Sequence, residues 1–540
     1  MPKYIFVTGG VVSGLGKGIT AASLGVLLKS CGLSLDAVKF DPYLNIDPGT
    51  MSPYEHGEVY VLSDGSETDL DLGHYERFLD TDLSGISSVA SGRIYADILD
   101  QERAGKFLGK NVQLIPHVTN YIKMCFAREA KADVRLIEIG GSTGDYEGDI
   151  FLESLRQFRR ENLAQVFHIH LGYVPFLKCS REYKTKPLQV SIRDLSRSGL
   201  QPDMVVARYS IEDGQKLSDD IMKKIALFAN LPSESVIELP DMENIYQVPI
   251  YLQETGVVKN LETFLNQRLD ASLPKFFGQY QVLKSDSKIK IGIIAKYTKL
   301  LDAYLSIIES LKIAGVEFGV GIEPVLIDAE ELDSGLESAW QSLRNLKGIV
   351  VPGGFGVRGM EGKIKAINYA RINKIPILGI CLGLQMAAIE IARSLGGLDA
   401  VSAEMFEDKN PMIGKSVLID LMPGQAATTK KGGTMRLGSY SCNIVGGTIA
   451  AELYNQEVIQ ERHRHRLEVQ LEFVPILEQS GLVISGKHIL DQNGNYLVEM
   501  IELPKEVHPY FIATQSHPEF LSRPGRPHPL FAGLVRACLG

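Results

Sequence analysis

Along the first half of the chain, short apolar runs alternate with longer stretches whose apolar residues recur every three or four positions. The runs Tyr4–Val7, Ala37–Phe40, Val112–Ile115, Val134–Ile139, Val166–Leu171 and Met204–Ala207 predict buried strands, and periodic stretches such as 19–28 predict helices. This alternation through roughly the first 265 residues predicts a parallel α/β sheet. Between about Leu261 and Lys288 the pattern becomes mixed and polar, ending in Lys284-Ser-Asp-Ser-Lys288, which reads as a boundary. A second alternating region starts at Ile289–Ile294 and continues through Gly348–Val351 and Ile375–Ile380. The expected organisation is a first domain over 1–266, a linker over 267–288 and a second α/β domain over 289–540. Ligands of such sheets sit beyond the carboxyl ends of the strands, so functional groups should follow the apolar runs.

Composition narrows the partners. The chain has 540 residues, 45% hydrophobic and 22% charged, ordinary for a soluble globular protein. No apolar run approaches the roughly 18 residues of a membrane span, and the N-terminus enters a strand without a signal-peptide pattern, so no membrane and a cytoplasmic location are expected. Six scattered cysteines without CxxC spacing argue against a disulfide framework or a zinc site. A net charge of −9 disfavours nucleic acid as a partner.

The first strand runs into Gly9-Gly-Val-Val-Ser-Gly-Leu-Gly-Lys-Gly18 and then a helix. Small residues let backbone N–H groups approach phosphate oxygens, and the helix N-terminus adds partial positive charge. Lys17 stands where a phosphate-binding lysine belongs, although five residues, not four, separate Gly10 from Gly16, and Gly18 replaces the usual Ser or Thr. Glu67, Asp69 and Asp71 are either a solvated acidic turn or ligands for a nucleotide-bound Mg²⁺. Glu138 ends an apolar strand before Gly140-Gly141, where a carboxylate must be ion-paired or hold a metal. Lys184-Thr-Lys-Pro-Leu-Gln189 is either a solvent-facing turn or a second triphosphate loop.

In the second half, Gly379-Ile-Cys381-Leu-Gly383 places a cysteine between glycines at a strand-to-helix turn, the layout of a nucleophile elbow. His517 ends the apolar run before Pro518, and Glu519 is spaced to orient its imidazole, which completes a Cys-His-acid arrangement. Glu461-Arg-His-Arg-His-Arg466 reads as a solvated basic face or, through its HxH pair, a metal site.

Together with Asp41–Pro53, Asp64–Phe78 and Gly432–Gly438, these motifs resemble the CTP synthase family over about residues 2–535. The resemblance implies a P-loop-like parallel α/β synthetase domain followed by an α/β class I glutamine amidotransferase domain. It implies a ligase that makes CTP from UTP through a 4-phosphorylated intermediate, with ATP as co-substrate, L-glutamine as nitrogen donor and Mg²⁺ as cofactor. It implies GTP activation, CTP feedback and a homotetramer. On this chain, ATP would meet Gly14, Leu15, Gly16, Lys17, Gly18, Ile19, Asp71, Pro240, Asp241 and Met242, with Asp71 and Glu138 on the metal. UTP or CTP would meet Ser13, Asp145, Tyr146, Glu147, Lys184, Thr185, Lys186, Pro187, Leu188, Gln189 and Lys224, with Lys39 and His56 near the reacting centre. Cys381, His517 and Glu519 would be catalytic, and glutamine would meet Gly354, Leu382, Gly383, Leu384, Gln385, Glu404 and Arg466. The chain departs from the family pattern at Tyr146, Met405 and Leu467, and in lacking a lysine at 240–242. Two other readings fit part of the same motifs: a glutamine-dependent amide ligase acting on a carboxylate, and a non-catalytic nucleotide-dependent assembly protein.

Overall fold

The computed structural model describes all residues except 1, 130, 213, 215, 283–287, 406–413, 423–432 and 493. Within the expected linker, residues 283–287 therefore lie outside the described residues, as does Gly432 of the motif at 432–438. The described chain divides into two compact units, one of Met1–Pro48 with Asp71–Val282 and one of Gly49–Leu70 with Leu283–Gly540.

The first unit is built on seven strands: β1 (Lys3–Gly9), β2 (Leu35–Asp41), β3 (Ser88–Ala90), β4 (Val134–Ile139), β5 (Val166–Tyr173), β6 (Met204–Tyr209) and β7 (Val236–Pro240). They lie in the order β7-β6-β5-β1-β4-β2-β3, all parallel. β1 is central and buried from Tyr4 onward, as its continuous apolar run requires. Phe6, Phe40, Phe126, Phe151 and Phe158 meet edge to face on one side of the sheet. Each such pair adds about 1 kcal/mol beyond its buried area. Register sets the site: Glu138 lies opposite Val7 on one side and Lys39 on the other, at the carboxyl ends of three adjacent strands.

Val112–Ile115 does not join this sheet, contrary to its apolar pattern. The chain coils there into a single wide turn at Leu114–Val118, and Leu114 and Ile115 are 55% and 52% exposed. Pro116 has no N–H to offer a ladder. The edge beside β2 goes to Ser88–Ala90.

The second unit carries a nine-stranded sheet: β8 (Lys288–Ala295), β9 (Gly321–Asp328), β10 (Gly348–Val351), β11 (Ile377–Ile380), β12 (Arg436–Ile444), β13 (Val458–His465), β14 (Val483–Ile489), β15 (Tyr496–Glu502) and β16 (Phe511–Thr514). The order is β9-β8-β10-β11-β16-β15-β14-β12-β13, parallel as far as β16 and antiparallel beyond it. Apolar clusters cover both faces.

Residues 49–70 pack with this second unit, although they lie in the middle of the first domain's sequence. Their hairpin, Tyr60–Val61 against Glu67–Thr68, is held by Arg464 on Glu67 at 2.8 Å and by Arg462 on the Val61 carbonyl at 3.2 Å. The Tyr60 hydroxyl donates to the Phe520 carbonyl at 2.8 Å, and Glu58 accepts from the Ser306 N–H at 2.9 Å. Residues 461–465 of that run thus lie in a largely buried strand and not on a solvated face. Its period of two sends Arg462 and Arg464 to the hairpin and Glu461, His463 and His465 to the other side.

Candidate functional site

In the first unit, the loop after β1 turns through Gly14 and Gly16, both at positive φ, into helix α1 (Lys17–Ser30). No side chain caps that helix, so its first amides remain available to an anion. Lys17 is buried, and its Nζ donates to the Gly141 carbonyl at 2.8 Å. Lys39 pairs with Asp71 and, at 3.4 Å, with Asp41, while Tyr75 donates to Glu138. A Cβ on Gly18 would stand 2.4 Å from Asp71 Oδ1 and 3.3 Å from Glu138 Oε2, so the two carboxylates converge over the first turn of α1. Burial, then the Asp71 charge, pushes the Glu138 carboxyl above its ordinary range, and burial pushes the Lys17 ammonium down.

Two crowded carboxylates beside an anion cradle form a donor set suited to Mg²⁺, which takes one or two carboxylates and completes its shell with phosphate oxygens and water. Among the described residues no group of three or more His, Cys, Asp or Glu side chains converges as a ready-made metal site. The acidic run of the sequence is divided: Asp71 joins the cradle, Glu67 pairs with Arg464, and Asp69 lies 3.0 Å from His56 Nε2 in the second unit.

Arg208 had no signal in the sequence beyond its place near the end of an apolar run. Its guanidinium lies against Gly16 and reaches the Pro240 carbonyl at 3.1 Å and Asp241 at 2.8 Å, tying the loop to residues 240–241. At the start of helix α2 (Lys186–Arg197), Gln189 donates to the Thr185 hydroxyl at 2.8 Å, and both are buried. Leu188 is turned into the core under Gly172. Ser13, Lys186 and Lys224 are exposed. Asp145, Tyr146 and Glu147 stand on the exposed turn after β4. Tyr146, 93% exposed, and Glu147 line a cavity of about 450 Å³ with Pro42, Tyr95 and Ile115. None of residues 184–189 lines that cavity.

In the second unit, Cys381 joins β11 to helix α4 (Leu382–Ser394) at φ 53°, a strained conformation for a residue with a side chain. The flanking glycines are sterically required: a Cβ on Gly383 would lie 2.0 Å from the Val351 carbonyl oxygen, and one on Gly379 would lie 2.7 Å from Ala513 Cβ. The Cys381 N–H donates to the Thr514 carbonyl at 2.7 Å, which draws β16 and His517 alongside. His517 Nδ1 lies 2.7 Å from Glu519 Oε1, leaving the buried Nε2 for the sulfur of Cys381. Burial by itself would lower the imidazole pKa; the Glu519 carboxylate and the Cys381 sulfur outweigh it and raise the value to about 10.

Two cavities meet at this cysteine. One, of about 290 Å³, is lined by Gly354, Leu382, Gln385, Glu404 and Arg466, together with Phe355, Asp420 and His465. The other, of about 300 Å³, is walled by Met51, Glu58 and Val59 of the 49–70 segment and by His517. Of the residues expected to meet glutamine, Gly383 and Leu384 do not line the first cavity and are buried within α4.

Residues 3–267 match the family described as CTP synthase N-terminus, and residues 299–537 match Glutamine amidotransferase class-I. The CTP synthase of Staphylococcus aureus strain NCTC 8325 is 47% identical across 100% of this chain and 99% of its own length. That of Carboxydothermus hydrogenoformans is 50% identical over 100% and 99%. The chain belongs to the CTP synthase family. Its activity is that family's glutamine-dependent conversion of UTP to CTP, a carbon–nitrogen ligation. Among solved structures, the Trypanosoma brucei glutaminase domain with bound acivicin is 32% identical over 47% of this chain and 94% of that one, with a TM-score of 0.42.

The His517 geometry makes a pH prediction for this CTP synthase family member. Because its folded value is raised, the protonated imidazole adds stability that is fully present below about pH 6.5 and is lost as pH rises toward about 10. Glu519→Gln removes the stabilising anion. The alkaline limb of the glutamine-hydrolysis pH profile is expected to move down by at least about one unit. An unmoved limb would mean that Glu519 does not set the imidazole's charge.

Proposed function

We propose that the first unit activates UTP and the second supplies ammonia. The observation carrying this reading is the coexistence of the Lys17–Asp71–Glu138 cradle with a buried Cys381–His517–Glu519 set that opens on its own substrate-sized cavity. ATP phosphates would lie along Gly14–Ile19, with Lys17 neutralising the γ-phosphoryl group and Pro240–Met242 near the base. Asp71 and Glu138 would hold Mg²⁺, which supplies charge neutralisation between the phosphates. The uracil nucleotide would meet Ser13, Asp145–Glu147, Lys184–Pro187, Gln189 and Lys224, with Lys39 near the reacting atoms.

The uracil O4 takes the γ-phosphoryl group and ADP leaves, turning a poor leaving group into phosphate. In the second unit the Cys381 sulfur adds to the glutamine amide carbon, and the N–H groups of Gly354 and Leu382 hold the developing oxyanion. His517 gives its proton to the departing ammonia. The thioester is then hydrolysed to glutamate. Ammonia attacks C4 of the phosphorylated uracil, the C4–O4 bond breaks, and phosphate leaves with O4. Glutamine would be gripped by Glu404, Gln385 and Arg466. GTP as activator, CTP as feedback ligand, a homotetramer and a cytoplasmic location complete the reading.

The test uses UTP carrying ¹⁸O at position 4. All of the label is expected in inorganic phosphate after one turnover. Label released to water, with none in phosphate, would sink the phosphorylated intermediate.

Ammonia would leave Cys381 through the cavity walled by Val59. Enlarging that wall with Val59→Phe should leave glutamine hydrolysis intact while CTP formed per glutamine falls below about half. Unchanged coupling would exclude this exit.

A further inference from the structure

Lys363 is fully buried on helix α3 (Met360–Ile372), and no carboxylate pairs with it among the described residues. Burying an ammonium without a counterion is costly, so its surroundings must supply the compensation. Its Nζ donates to the Pro352 carbonyl at 2.5 Å and approaches the Gly353 carbonyl at 3.5 Å. Burial, then the Lys296 charge, holds its pKa well below the usual lysine range, and the Cys381 sulfur opposes that shift.

The Gly353 carbonyl belongs to the peptide that carries the Gly354 N–H. In a trans peptide these two dipoles point in opposite directions, so a donor on the carbonyl fixes where the N–H points and polarises it. The other side of Gly353 faces the reacting pair: a Cβ there would stand 3.1 Å from His517 Cε1 and 3.5 Å from Cys381 Cβ. The lysine's base is rigid, because α3 packs so closely that a Cβ on Gly362 would fall 1.7 Å from the Ala329 carbonyl oxygen.

We propose that Lys363 is a positioning residue for glutamine hydrolysis, holding the Gly353–Gly354 peptide with its N–H turned toward the oxyanion formed at Cys381. This rests on the reading of Gly354 as an oxyanion donor. Without the lysine, the Pro352 and Gly353 carbonyls lose this donor, so the Gly354 N–H is held less firmly and the transition state loses part of a preorganised donor while the bound substrate loses little.

The experiment compares Lys363→Met, which keeps length and shape, with Lys363→Gln, which keeps an N–H donor without charge. Lys363→Met is expected to lower kcat for glutamine hydrolysis about tenfold, less than deleting an oxyanion donor outright, with KM within about twofold. Affinity for glutamate γ-semialdehyde, whose aldehyde carbon takes the Cys381 sulfur while its oxygen becomes the adduct oxyanion or hydroxyl, should weaken by the same factor. Ammonium-fed CTP synthesis should not change. Lys363→Gln should recover most of the loss. Wild-type kcat in Lys363→Met, or a loss that Lys363→Gln fails to recover in protein that still makes CTP from ammonium, would overturn the proposal. A wild-type enzyme that bound the semialdehyde no tighter than glutamate would instead remove the oxyanion-hole reading beneath it.

Discussion

Cys381→Ala is expected to abolish glutamine-fed CTP synthesis, by at least about 10³-fold, while ammonium-fed synthesis stays within about twofold of wild type. The size follows from the chemistry. Amide cleavage at this site needs a nucleophile at the strained turn between β11 and α4, and the structure offers no other thiol there. Water could attack the bound amide with the help of the oxyanion donors proposed at Gly354 and Leu382, which would leave a residue of activity and not zero. The ammonium-fed reaction is expected to be spared because the groups proposed for it, Lys17, Lys39, Asp71 and Glu138, all belong to the other unit. The measurement is CTP formation from UTP, ATP and Mg²⁺ with each nitrogen source in turn. If the variant also lost ammonium-fed synthesis while remaining folded, the division of labour between the units would be wrong.

The second large effect is expected at Lys17. Lys17→Met should depress CTP formation by about 10³-fold with either nitrogen source, because phosphoryl transfer is catalysed chiefly by charge placed around the migrating group. The methionine has similar length and fills the buried slot beneath Gly9, whose Cβ position lies 2.9 Å from Lys17 Cδ. The fold should therefore survive. The lost Nζ bond to Gly141 is a single one. Basal glutamine hydrolysis, measured without nucleotides, should be unchanged. Wild-type CTP formation by Lys17→Met would move the phosphate site away from the β1–α1 loop.

Much of this protein was legible in the chain itself, because the decisive signals were local. The apolar run of β1, the glycines after it and the periodic helix dictate a loop with free amides, since only small residues allow that approach. At Cys381 the glycines at minus two and plus two are forced by backbone clashes with Val351 and Ala513, and such steric demands appear in sequence as composition. Most of the parallel strands are readable from continuous apolar runs, but Ser88–Ala90, Val236–Pro240 and Gly321–Asp328 were not predicted. Val112–Ile115 was misread because apolarity alone does not place a segment in a sheet.

Tertiary structure decided what depends on partners distant in sequence. The acidic run 67–71 is split among Arg464, His56 and the α1 cradle, because Glu67 and Asp69 travel with the second unit and Asp71 with the first. Arg462 and Arg464, which read as a solvated basic face, are used up on a hairpin some 400 positions earlier in the chain. Arg208 and Lys363 carried no motif: Lys363 acts on backbone carbonyls, which are the same in every residue, and Arg208 on the Pro240 carbonyl and on Asp241, 33 positions on, so no local pattern of side chains could announce them.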